Sequence, residues 1–265
     1  RMGGIIGPAI GVTSVALIGA RLTFLVTALA CFVSVLSLSG VKEAAHEAKE
    51  KHEPFIEEMK DGIRTVREMP WVAALILMAT FQLLVVISSE HVLLPIITKR
   101  EFHTNSVMAW AAASFAAGGV ISSILSLKIK TKFPGRITLT IWSLFAFVPF
   151  ALAYQDSKLL IVIAYILGGI SVGPWDAFWP SALQREVPKE KLGRVFALDH
   201  AGSAGLMPLG MALVGPVVAL VGEKPFLIFA GIFHLAINLI VYRVPGVKEM
   251  KTPVDRKSTR LNSSH

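Results

Sequence analysis

GGIIGPAIG, Gly3 to Gly11, lies inside an apolar run and places Gly3, Gly7 and Gly11 one helical turn apart around Pro8. Glycines at that spacing leave a groove into which a second helix backbone can press, while Pro8 removes one backbone hydrogen bond and bends the rod. A soluble helix seldom tolerates such a proline; a membrane helix packed among neighbours does. The rest of the chain agrees. Of its 265 residues, 54% are hydrophobic and 17% charged, and the charges are clustered. The stretches Trp71 to Ser89, Val107 to Leu127, Ile137 to Gln155, Leu159 to Trp175, Ala201 to Gly222 and Pro225 to Tyr242 hold no Asp, Glu, Lys or Arg. Each approaches the ~20 residues needed to cross a bilayer. Gly3 to Gly19 and Leu22 to Leu38, separated by a turn around Ala20 and Arg21, bring the expected spans to eight in an all-α membrane protein.

Charge placement orients these spans. Lys42, Lys49, Lys51, Lys60, Arg64 and Arg67 follow the second span, Lys128, Lys130, Lys132 and Arg136 the fourth, Arg185, Lys189, Lys191 and Arg194 the sixth, and Arg243, Lys248 and Lys251 the eighth. The alternate loops hold only Arg21, Lys99, Arg100, Lys158 and Lys224, so the basic set is expected in the cytoplasm. Topology thus accounts for the net charge of +8. No soluble surface interleaves basic and aromatic residues, which argues against nucleic acid as a partner. Cys31, alone and within a span, forms no internal disulfide.

An internal repeat links the two ends of the chain. GPAIGVTSVALIG (Gly7 to Gly19) aligns with GMALVGPVVALVG (Gly210 to Gly222), and each continues through one basic residue, Arg21 or Lys224, into TFLVTALACF or PFLIFAGIFH. Two related hairpins in one orientation are what a transporter built from parallel half-bundles contains.

These residues resemble the major facilitator superfamily of secondary transporters, whose two six-helix halves enclose a central cavity. The resemblance runs from Arg1 to about Met250. Gly3, Gly7, Pro8 and Gly11 look like the fifth-helix signature of its drug:proton antiporters, and Ala182 to Pro216 is similar to the join between helices ten and eleven in its macrolide-efflux-like branch. The resemblance implies a partial bundle of helices five to twelve, with four spans preceding Arg1. Residues 1–40 would be the last two helices of the first half, 41–69 a cytoplasmic connection with an amphipathic helix, and 70–245 the second half. Residues 246–265 are expected as a disordered tail, of which 256–265 resembles a translated sequencing-adapter read-through.

The connection carries Phe55, Met59, Ile63 and Val66 at helical spacing between Pro54 and Pro70, which predicts a helix on the membrane or on the inner face of the bundle. His46 and His52 lack the HExxH spacing of zinc chemistry, and neither a metal nor a cofactor is expected. GISVG, Gly169 to Gly173, fits the hydrolase GxSxG pattern but sits in an unbroken apolar helix, where small residues serve close packing. No nucleophile, base and ligand set converges at one depth, so an enzyme is not expected.

Polar residues within the spans are the candidate functional groups. Glu90 and His91 are expected near the outer mouth, as a gate or proton-access point or simply as a hydrated pair. Asp176, Asp199 and Arg194 fall near the cytoplasmic ends of neighbouring spans; salt bridges of the two aspartates with Arg185 or Arg194, closing the inner side, and direct proton carriage both fit. His234 reads as polar packing. In the family the first helix of the second half lines the cavity, and Phe81, Gln82, Trp110, Trp175 and Met207 would offer flat, polarizable surface with few hydrogen bonds. Packing between helices explains each ring equally well. The function implied is export of hydrophobic small molecules, drug or macrolide-like, by proton antiport and alternating access, in a monomer whose partners are lipid, substrate and protons. The alternatives are uptake or metabolite export by the same fold, or a non-transporting membrane protein.

Overall fold

The computed structural model describes residues 2–39, 55–104, 106–155 and 157–252, with the backbone alone for residues 2–18, 20, 38 and 55. They form two compact units, Arg1–Glu57 and Glu58–His265. The described residues contain helices and no strands.

The first unit holds α1 (Met2–Ser39), interrupted by one residue, Gly19, at φ 78 and ψ 160. That backbone region is essentially open to glycine alone. The break falls at Gly19, before the expected Ala20 and Arg21, because Gly19 is the residue without a Cβ to clash. Beyond it, Arg21–Ser37 is a short apolar helix. Its Thr23, Thr27, Ser34 and Ser37 hydroxyls donate to carbonyls four residues back at 2.9–3.0 Å, which hides them from an apolar surrounding. Gly3, Gly7, Pro8 and Gly11 lie on helical backbone, but their side chains lie outside the described residues, as do His46 and His52.

The second unit opens within α2 (Phe55–Glu68), followed after one residue by α3 (Pro70–Phe102), α4 (Ser106–Lys128), α5 (Pro134–Ala153), α6 (Lys158–Glu186), α7 (Lys189–Val221) and α8 (Glu223–Val241). The six from α3 onward are long and apolar enough to cross a membrane. Their ends gather at two poles. At one, the Arg100 guanidinium donates to both carboxylate oxygens of Glu223 at 2.7 and 3.1 Å and to Gln155, tying together the ends of α3, α5 and α8. At the other, the Arg136 amide donates to the Lys248 carbonyl, and the Arg185 guanidinium to that of Met250. The two groups of loops are those that the charge count separated.

Residues 246–252 are not the disordered tail that composition suggested. Val247 and Met250 are fully buried, Trp71 Nε1 donates to Thr252 Oγ1 at 3.2 Å, and the Val247 carbonyl lies where a Cβ on Gly135 would stand. The segment plugs the end of the bundle because its two apolar side chains meet a floor of Trp71, Leu75, Trp179 and Leu183. A second apolar cluster, around Ile97, Leu152, Ile161 and Leu227, fills the bundle toward the other pole.

Helices α4 and α6 make the closest pairing. A Cβ on Gly118 would collide with the Ile166 carbonyl, one on Gly169 with that of Phe115, and one on Gly173 with Ser122. Ser171 Oγ donates back to Gly168 within the helix at 2.6 Å, so GISVG is a packing face.

α2 meets α7 through its polar and small residues. Gly62 abuts Leu198 and Arg194, and Thr65 is buried, whereas Ile56, Met59 and Ile63 are exposed. Of the expected apolar stripe, Val66 packs on the core and Phe55 lies outside the described side chains. Ion pairs at Asp61 turn the helix this way.

Candidate functional site

Three polar constellations interrupt the apolar interior, and the backbone that positions each is legible. In α3 the helix widens to a π turn over Leu83–Ile87. Ser88 Oγ then shares its one hydrogen between the Leu83 carbonyl at 2.8 Å and the Met207 carbonyl at 3.1 Å, where α7 is broken between Ser203 and Met207. Gly210 of α7 sits directly on the Leu84 carbonyl, an approach no side chain permits. A π turn adds a residue to the ladder and commonly marks a functional segment.

Immediately after it comes Glu90, buried at 9% exposure. Tyr165 of α6 donates its hydroxyl to Glu90 Oε1 at 2.6 Å, and His91 Nδ1 stands 2.7 Å from Oε2. The expected place at the outer mouth is corrected. α3 continues twelve residues beyond Glu90, ~18 Å of helix, and the Glu90 side chain is 12% exposed, so the carboxylate is largely enclosed by protein. His91 itself is exposed.

The second constellation lies between the two apolar clusters. Trp142 Nε1 donates to Gln82 Oε1 at 2.7 Å, Gln82 Nε2 donates to Asn238 Oδ1 at 2.9 Å, and Asn238 Nδ2 donates to Ser143 Oγ at 3.2 Å. His234 Nε2 contacts the Trp142 carbonyl at 2.9 Å, which makes it the protonated nitrogen. Gln82 has no exposed surface, so it faces no cavity here; its amide locks the rotation of α3 against α5 and α8. His234 packs as expected. Trp175 is half-buried and stacks on Trp179 at 5.8 Å and beside Trp142 at 5.7 Å, inside a run of rings that reaches Trp71. Phe81 and Trp110 are 46% and 66% exposed, on α3 and α4, and Met207 is half-buried at the α7 break. Of the five expected cavity residues, Gln82 is thus sealed, Phe81 and Trp110 are exposed, and Trp175 and Met207 are half-buried.

The third constellation is ionic. Asp61 of α2 accepts from Lys191 Nζ at 3.1 Å and from Arg194 at 2.7 Å, and Arg194 also reaches Glu58 at 3.3 Å. The Lys191 ammonium, followed by the Arg194 guanidinium, holds the Asp61 carboxyl below its ordinary value of 3.8. The predicted cationic partner of Asp199 is corrected: its Oδ2 accepts the Trp179 indole N–H at 3.0 Å, and Arg185 pairs with Glu186 instead. The partner does come from another helix, as the spacing required. Asp176 is exposed on α6, ~27 Å along from Lys158.

Tyr165, Trp142, Asn238 and Asp61 were not among the expected functional residues. Of these, the His234–Asn238 pair carried a usable signal, since polar residues four apart in an apolar helix share a face. The others depend on contacts between helices.

Comparison with known proteins places this architecture. The model of the transmembrane secretion effector family matches residues 2–263. The multidrug efflux pump Tap of Mycobacterium tuberculosis is 22% identical over 253 residues, covering 93% of this chain and 59% of that protein. Macrolide efflux protein A of Streptococcus pyogenes is 24% identical over 201 residues, with 74% and 49% covered, and its counterpart in Enterococcus faecalis is 28% identical over 162 residues, with 59% and 50% covered. The chain thus spans about half to three-fifths of the length of these curated relatives. Six membrane-length helices, glycine-mediated helix contacts and a match along nearly the whole chain lead to one conclusion: the chain belongs to the transmembrane secretion effector family of the major facilitator superfamily, as a multi-pass plasma-membrane protein.

Proposed function

We propose that the protein exports hydrophobic small molecules by proton antiport and alternating access. One observation carries this reading: the second unit turns its neutral polar side chains inward, at Gln82, His234 and Asn238, and leaves Phe81 and Trp110 exposed within membrane-length helices. A ligand meeting such helices finds ring faces and aliphatic surface, with few hydrogen-bonding groups, which suits a bulky apolar compound and not a sugar or a charged nutrient. The names of the relatives, a multidrug pump and macrolide efflux proteins, point the same way. Phe81, Trp110, Trp175 and Met207 are the substrate-facing residues in this reading. Arg194 with Asp61 and Glu58, and Asp199 with Trp179, close one end of the bundle, and Asp176 stands beside that closure. Gly3, Gly7, Pro8 and Gly11 serve close helix packing and bending in this reading.

The test is accumulation of ethidium and of a macrolide in cells lacking their own pumps and carrying the complete reading frame. Accumulation should fall, and a protonophore should restore it. Accumulation equal to that of empty cells would sink the export reading; export that survives collapse of the proton gradient would sink the antiport. Asp199→Asn keeps an oxygen for the Trp179 indole and should leave export gradient-driven, as a closing contact requires.

A further inference from the structure

His91 Nδ1 faces two acceptors at once, Glu90 Oε2 at 2.7 Å and the Ile87 carbonyl at 3.0 Å. A nitrogen between two acceptors must carry the hydrogen, so the neutral ring has a bare Nε2. The His91 side chain is 49% exposed and that of Glu90 12%. The imidazole therefore bridges a surface and an enclosed carboxylate through its two nitrogens. On the other side of the carboxylate, Tyr165 donates to Oε1 and is itself buried against Phe115, its ring 6.5 Å away.

The surroundings leave this carboxylate without any other ionic partner among the described residues. α4 has one ionisable residue, Lys128 at its far end, and the stretches Phe147–Ala153 and Met207–Val221 have none. On α6, Lys158 lies seven residues before Tyr165, ~10 Å along the axis, with its ammonium over the Phe102 ring, and Asp176 lies eleven residues beyond, ~16 Å along the axis. On α8, Glu223 and Lys224 are at the helix start and His234 bonds to Trp142. On α3, Lys99, Arg100 and Glu101 begin nine residues after Glu90, ~14 Å along the axis, and Arg100 is paired with Glu223. An enclosed carboxylate with one hydroxyl donor and one titratable, surface-reaching neighbour is built to gain and lose a proton, not to hold a permanent ion pair.

We propose that Glu90, Tyr165 and His91 form a proton-binding site in the second unit, with His91 as the port through which Glu90 is loaded. A proton arriving at Nε2 releases the Nδ1 proton to Glu90 Oε2, leaving a neutral acid and a neutral imidazole of the other tautomer. One proton enters, one moves on, and no other reactant is needed. Tyr165 keeps its hydrogen and orients the carboxyl through Oε1. The assignment of this site to transport rests on the antiport reading above; the binding of a proton there does not.

The purified chain in lipid vesicles, studied by pH-difference infrared spectroscopy, tests it. Lowering the pH should raise a carboxylic-acid carbonyl band that Glu90→Gln removes. Transfer into heavy water should shift that band, and His91→Phe should slow the shift by roughly a hundredfold, the low end of what a positioned acid–base group contributes. Tyr165→Phe should displace the band by removing its hydrogen bond while leaving the exchange fast. A pH-dependent spectrum unchanged by Glu90→Gln would overturn the site, and exchange in His91→Phe as fast as in the parent would overturn the port. His91→Phe leaves the Glu90–Tyr165 bond in place, so it serves even if Glu90→Gln fails to fold. In the complete protein, export insensitive to a protonophore would defeat the antiport reading while these spectra still decided the site.

Discussion

At the scale of single residues, the consequential choices are polar groups sealed inside apolar helices. Trp142 donates to Gln82, and among the described residues nothing else satisfies that carbonyl oxygen. Trp142→Phe keeps most of the ring but strands the acceptor, which costs about 1–3 kcal/mol when the group is buried. Equilibrium unfolding in mixed micelles should register a loss of that order; an unchanged midpoint would show that the network contributes nothing. A hydroxyl or amide bonded in this way also specifies rotation, because a helix turned by one residue would leave its partner unpaired. Leucine packs acceptably in many rotations and cannot do this.

At the scale of elements, two glycines and one aspartate set the connections. Gly19 and Gly222 end the two repeat copies, and both adopt the same unusual backbone, φ 78 and ψ 160 against φ 87 and ψ 154. The alignment of the hairpins thus extends to the torsions of their turns. Alanine at either position should destabilise its hairpin by about 1–3 kcal/mol, whereas Gly215→Ala, facing open space, should not. Thermal aggregation of the three variants compares them directly; equal behaviour would mean that the turn tolerates a Cβ. The α2–α7 contact depends on charge instead. Because Asp61 titrates below 3.8 in the folded protein, its pairs with Lys191 and Arg194 are intact at neutral pH and are lost as the pH falls from the ordinary carboxylate range through the depressed value. Amide exchange in α2 should accelerate over that acid window and with rising salt, while Asp61→Asn should exchange fast throughout. Protection that persists in Asp61→Asn would assign the contact to packing at Gly62 and Thr65.

At the scale of the whole molecule, alternation of the spans places Arg100, Lys158 and Lys224 at one pole and Lys130, Lys189 and Lys248 at the other. With Cys31 replaced, single cysteines at these positions should be labelled from opposite sides of the membrane by an impermeant maleimide, with Lys130 and Lys49 sharing the cytoplasmic side. Modification of positions 130 and 100 from the same side would refute the topology.

Composition and periodicity by themselves determined that the chain crosses a membrane, where six of the eight expected spans lie, and how the loops joining those six divide between two poles, because these follow from transfer of local segments into a bilayer. The GISVG stretch declared its packing role in the same way, since small residues in a helix have few other uses. Tertiary structure alone decided what the polar residues do. Gln82 read as a cavity residue and is sealed; Glu90 read as hydrated and is enclosed by Tyr165; Asp199 called for a cation and found an indole; Val247 and Met250 read as tail and close the bundle. Each depends on which neighbour stands opposite. The bilayer enforces burial of polar groups without specifying their partner, so that choice belongs to how the helices turn and pack against one another.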